Sequence, residues 1–237
     1  MNRRKETGRK WILTVLCVIA ALATMAGIVF YCNFFPNPFA KQVAPGQISA
    51  GVESITGESD VLIAYFSLAN NREYASTAVD AVSSASLKGY GEKAYGHAEL
   101  LAVAAQETTG GDVFPIKVQN LYPETYGEAL DRQHREMDIE YCPPLLGHLE
   151  NAERYKTVVL IYPCWLGSLP QPVKSFLEEY GFAERTIVPI ATSQALGLGS
   201  GPEQIAEMCP DAVITEGLSA RDEADVKDFL SDMGLGQ

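Results

Sequence analysis

Five apolar runs punctuate the chain after residue 60: Val61–Phe66, Val113–Val118, Thr157–Tyr162, Thr186–Thr192 and Ala212–Leu218. The first, third and fourth are almost uninterruptedly apolar and rich in Val and Ile, as expected of strands buried on both faces. Between them lie segments with helical character. Ala98–Glu107 is helical by propensity and stops at Gly110-Gly111. Pro123–Met137 is a charged amphipathic stretch with Tyr126, Leu130 and His134 at offsets of four. Gln171–Glu179 carries Val173, Phe176 and Leu177, Pro202–Met208 starts on proline, and Glu223–Met233 ends the pattern. Glu73–Gly96 has no clear period and reads as an insertion or a broken helix.

Strands alternating with helices imply a parallel sheet with helices on both faces. Five strands fit a doubly wound sheet of order 2-1-3-4-5. In such sheets ligands bind at the carboxyl ends of the strands. Three loops qualify: Ser67–Arg72, Pro163–Gly167 and Thr192–Gly199. The first offers a hydroxyl and two amides and suits an anion near backbone N–H groups. The second is apolar, and Trp165 is a poor turn former. It either stacks on a flat ligand or caps the core. The third is glycine-rich and can approach a ligand closely.

The amino terminus changes the picture. Residues 1–10 carry five basic groups and one acid, and Trp11–Tyr31 follows without a charge. As a helix of about 1.5 Å per residue, that run is long enough to cross a bilayer. The expectation is a basic cytoplasmic leader (1–10), an uncleaved transmembrane anchor (11–31), a Pro/Gly/Ser-rich tether (32–58) and one domain (59–237). A cleaved signal peptide is the rival reading. The basic leader places the domain outside the cytoplasm.

Residues 1–50 hold six Lys/Arg against one Glu, a net of +5, so the rest of the chain carries −17 of the total −12. That leaves no basic stripe for nucleic acid. Cys142, Cys164 and Cys209 show no metal spacing, and sequence leaves open whether Cys142 and Cys209 pair. His97, His134 and His148 lack ligand spacing, so no metal is expected. No P-loop and no GxSxG elbow occurs. Gly197–Gly201 follows the wrong strand for a dinucleotide fingerprint.

VLIAYFSLANN, YPCWLGSLPQPVKSFLEEY and VPIATSQALGLGSG together resemble the flavodoxin family. The chain is similar to bacterial flavodoxin-like proteins with an insertion after the phosphate loop, and NLYPETYGEALDRQHREMD also looks like theirs. The resemblance covers about Asp60 to Leu235 and implies FMN as cofactor. It implies that Ser67, Leu68, Asn70 and Asn71 surround the phosphate, with Arg72 as a charged donor. Pro163, Cys164, Trp165, Leu166 and Gly167 would line the ring, and Thr192, Ser193, Gln194 and Gly197 its other edge. The family's turn reads roughly Ser-x-Thr-Gly-Asn-Thr. Ala69, Asn70 and Arg72 stand at the first Thr, the Gly and the last Thr, which removes two hydroxyl ligands.

The expected function is a membrane-tethered electron carrier with a redox partner protein or quinone and no catalytic residue of its own. Two others are carried beside it: an NAD(P)H-dependent FMN or quinone reductase on the same fold, and a non-catalytic module with a decayed phosphate loop.

Overall fold

The computed structural model describes residues 51–71, 87–90, 93–123, 126–192 and 196–236. All lie in the second of the chain's two units, residues 41–237. The leader, the expected anchor and most of the tether fall outside the described residues. Among those described, no helix is long and apolar enough to cross a membrane.

The sheet is built on β1 (Val61–Tyr65), with β4 (Asp112–Pro115) on one side and β5 (Thr157–Tyr162), β6 (Thr186–Ala191) and β7 (Val213–Ile214) on the other, all parallel. Two further strands, β2 (Leu87–Tyr90) and β3 (Lys93–Gly96), form a separate antiparallel hairpin inside the expected insertion. Set apart from that hairpin, the parallel strands follow the doubly wound order. The fifth position differs from expectation. It is broken into β7 and β8 (Leu218–Ser219), which both pair with β6.

The break has a local cause. Between the two pairings β6 advances from Ile187 to Ile190, whereas its neighbour advances from Ile214 to Leu218. The neighbour therefore carries one extra residue, a bulge. Pro189 lies in this interval and brings no N–H to the ladder. Gly217 fits there because a Cβ would press on the Pro189 carbonyl and on Leu198.

The uniformly apolar strands serve two cores by alternation. Leu62, Ala64, Phe66, Val158, Leu160 and Tyr162 face one, which also holds Val173, Phe176, Leu177 and Ile205. Those come from α3 (Gln171–Tyr180) and α4 (Gly201–Met208); α2 (Tyr126–Asp138) adds Ala129. Ile63, Tyr65, Val159, Ile161, Val188 and Ile190 face the other, with Leu101 and Ala105 of α1 (His97–Thr109) and Val226 and Leu230 of α5 (Glu223–Asp232).

Residues 51–58, read from composition as the end of a tether, are bonded into the domain. Ser54 and Val113 exchange both backbone hydrogen bonds (2.9 and 2.8 Å), so the segment runs antiparallel along the outer edge of β4. Val52 N donates to the Tyr65 hydroxyl at 2.7 Å. Farther on, the Asp112 carboxylate, fully buried, accepts from Thr56 N (2.8 Å), Thr56 Oγ1 (2.7 Å) and Gly57 N (3.3 Å). Tyr155 donates to the same carboxylate at 2.9 Å, and Arg154 Nη2 lies 3.3 Å away.

Candidate functional site at the carboxyl ends of the strands

β1 leads into Ser67 and a single 3-10 turn, Leu68–Asn70. The turn uses its own amides: Asn70 N donates to Ser67 O and Asn71 N to Leu68 O. Asn71 is fully buried, and its side chain is committed to the fold. Its Nδ2 donates to Ser67 O (2.9 Å) and Ile116 O (3.0 Å), and its Oδ1 accepts from Val118 N (2.9 Å). It therefore staples the turn to the strand extension after β4, with both its side chain and its amide engaged in the fold. Asn70 Nδ2 donates to Glu99 Oε2 at 3.2 Å. Ser67 differs from both. Its Oγ is buried and has no hydrogen-bond partner among the described residues. Arg72 lies outside them.

β5 leads into the second loop. Pro163 and Cys164 are buried, and Trp165 and Ser168 exchange backbone hydrogen bonds (3.0 and 2.9 Å). The two residues between them, Leu166 (φ 54°) and Gly167 (φ 77°), are both left-handed. That is the geometry of a tight two-residue turn. Glycine adopts it freely, and leucine only under strain. Leu166 projects into solvent at the rim.

Trp165 is 8% exposed and part of the core. It packs edge-to-face on Phe66 (centroids 5.4 Å apart) and on Tyr122 (5.6 Å). Behind it, Tyr122 donates to Glu136 Oε2 at 2.7 Å and lies under the Arg132 guanidinium at 4.0 Å. Of the two sequence-level options for Trp165, core cap or ring platform, this packing establishes at least the first. Burial pushes the Cys164 thiol up.

The third loop starts at Thr192, whose Oγ1 is buried without a partner among the described residues, while its N donates to Tyr162 O at 3.0 Å. Ser193 and Gln194 lie outside the described residues. Gly197 and Gly199 are both left-handed. A Cβ on Gly199 would strike the Gly167 carbonyl and the Cys164 sulfur. Ser200 locks the same contact, donating from N (2.8 Å) and Oγ (2.9 Å) to Gly167 O. Gln204 Oε1 accepts from Ser168 Oγ and Leu169 N, each at 3.0 Å. The second and third loops thus form one rigid wall.

No metal-ligating cluster of His, Cys, Asp and Glu exists among the described residues, and Cys142, Cys164 and Cys209 are all free thiols. The site consists of hydrogen-bonding hydroxyls, a glycine-tight wall and an aromatic backing. A sequence model of the family described as Flavodoxin matches residues 92–233. The chain belongs to the flavodoxin family. The match takes in the second and third loops and begins after the altered phosphate turn.

Solved structures with the same fold agree. A protein assigned as a flavoprotein from Bacteroides eggerthii superimposes with a TM-score of 0.56 at 23% identity, covering 73% of this chain and 97% of its own. A second, from Bacteroides uniformis, gives 0.55 at 20%, covering 72% and 97%. A flavoprotein from Lactobacillus acidophilus, solved in complex with FMN, gives 0.51 at 15%, covering 71% and 96%. No curated protein sequence matches the chain.

The residues present fit a flavin phosphate in part. Two buried hydroxyls, Ser67 and Thr192, sit without partners among the described residues at the ends of β1 and β6, on either side of the loop after β5. A buried hydroxyl without a partner is costly in a folded protein unless a ligand or water satisfies it. Asn71 is bonded within the fold as a staple, a role that left no trace in sequence spacing.

Proposed function

We propose that this flavodoxin-family protein binds FMN at the three-loop site and carries electrons between a partner and the membrane to which its amino terminus is tethered. The observation that carries this reading is the pair of buried hydroxyls, Ser67 and Thr192, that have no partner among the described residues and flank the loop after β5 in a chain of this family. The FMN complex of the Lactobacillus acidophilus structure supports the choice of flavin. Bound FMN would supply the redox chemistry; the protein supplies position and electrostatics. Ser67 would hold the phosphate end and Thr192 an edge of the ring. The glycine-locked wall of Gly167 and Gly199 would bring backbone close to the ring and exclude water. The acidic domain disfavours negative charge gained on reduction, which lowers the potential.

Washed membrane vesicles from cells expressing the full chain test both parts. Flavin should sediment with the vesicles and should not be reduced by added NAD(P)H alone. Flavin in the supernatant contradicts the tether. Steady NAD(P)H oxidation with a quinone contradicts the carrier and favours a reductase.

A further inference from the structure

In a phosphate turn followed directly by a helix, the helix N-terminus offers its unpaired amides and positive dipole end to the anion. Here the expected insertion separates the turn from α1, and α1 begins only at His97. Its N-terminus nevertheless returns to the turn. Gly96, the residue before the helix, lies so close to Ser67 that a Cβ there would collide with Ser67 Oγ and press on Ala69.

At that N-terminus the chain supplies its own carboxylate, in a capping box. Glu99, third residue of α1 and fully buried, reaches back so that its Oε2 accepts from Gly96 N at 3.3 Å. The same oxygen accepts from Asn70 Nδ2 in the turn at 3.2 Å. Ser67, Asn70, Gly96 and Glu99 thus form one cluster. It sets a carboxylate at the N-terminus of α1, beside a buried hydroxyl that has no partner among the described residues.

We propose that Glu99 is a built-in competitor for the phosphate subsite: its carboxylate holds the helix N-terminus and the Asn70 amide, and a flavin phosphate must displace it to bind. This rests on the flavin reading above and adds a specificity determinant to it. Two anions cannot share one set of donors in a dry site without strong repulsion. Glu99 therefore penalises phosphorylated flavin and leaves the unphosphorylated flavin almost untouched. The consequence is a cofactor held less tightly than the fold allows, with discrimination between FMN and riboflavin set by one side chain. Glutamine at this position keeps the size and the acceptor oxygen for Gly96 and removes the charge.

The test is titration of FMN and, separately, riboflavin into the full-length wild type and Glu99→Gln, followed by quenching of flavin fluorescence. Unfolding of each apo-protein is measured alongside to confirm that the variant folds. The expected result is FMN affinity increased about tenfold or more in Glu99→Gln, with riboflavin affinity changed less than about twofold. Equal changes for both flavins, or weaker FMN binding in the variant, overturn the competitor. Should Glu99→Gln not fold, Asn70→Ala, which frees the carboxylate from the turn, must alter the FMN-to-riboflavin ratio; an unchanged ratio overturns it too. Failure of the wild type to bind either flavin would defeat the flavin reading itself, a distinct outcome.

Discussion

Trp165→Ala should lower the thermal midpoint of the flavin-free protein by roughly 10 °C. Truncating a buried tryptophan costs about 3–5 kcal/mol, and each kcal/mol moves the midpoint of a domain this size by about 2–4 °C. The side chain is 8% exposed and holds Phe66 and Tyr122 in edge-to-face contact. Its removal leaves a cavity under the second loop and loosens the Tyr122–Glu136–Arg132 group behind it. Phenylalanine should recover part of the loss, because one aromatic contact of about 0.5–1.5 kcal/mol can re-form. Calorimetry with and without excess FMN measures it. A variant as stable as wild type without FMN, yet gaining less from FMN, would place Trp165 on the ring and outside the core.

Asp112→Ala should cost a similar amount, about 3–5 kcal/mol, because it removes one buried carboxylate that is the common partner of several donors, the buried Tyr155 hydroxyl among them. Thr56 N, Thr56 Oγ1, Gly57 N and the Tyr155 hydroxyl all converge on this carboxylate. Burial raises its pKa, and the hydrogen bonds from Thr56, Tyr155 and Gly57 together outweigh burial and hold it below the usual carboxylate value. A depressed folded-state pKa contributes stability that is present above the unfolded value and lost as pH falls through the folded one. The gap between wild type and variant in urea unfolding should therefore be full at neutral pH and shrink in acid. A gap independent of pH would mean that the carboxylate charge contributes nothing. A chain starting at Ser59 should lose comparable stability, since it deletes the donors instead of the acceptor. Unchanged stability on that deletion would show that residues 51–58 are a passive tether after all.

What sequence revealed and what it hid follow from the same physics. Val61–Tyr65, Thr157–Tyr162 and Thr186–Ala191 are buried on both faces, so a continuous apolar run suffices to mark them. The helices between them show their buried stripe or their terminators, and their ends fall within a few residues of expectation. Residues 51–58 carry no such mark. They attach through backbone bonds at Ser54 and through small polar groups on Asp112, and a Gly/Ser/Thr segment looks the same whether bonded or free. The β2–β3 hairpin is too short for its alternation to stand out. The break between β7 and β8 needs the register opposite Pro189, which is a tertiary fact. In the site, the three loops were legible from their positions after strands. The division of labour inside them was not. Ser67 and Asn71 are both polar and both buried, and only the bonding shows that Asn71 is saturated while the Ser67 hydroxyl has no partner among the described residues. Glu99 reads as an ordinary helix-favouring residue until Gly96 is seen folded against Ser67.

Whether the three-loop site takes FMN is read from the absorbance spectrum of the purified full-length protein. The protein is incubated with FMN and passed through a desalting column before measurement. Flavin absorption bands should co-elute with the protein at about one FMN per chain, and should be lost when Ser67→Ala and Thr192→Val are combined in a variant that still folds. A colourless protein that takes up no FMN would contradict FMN binding at this site.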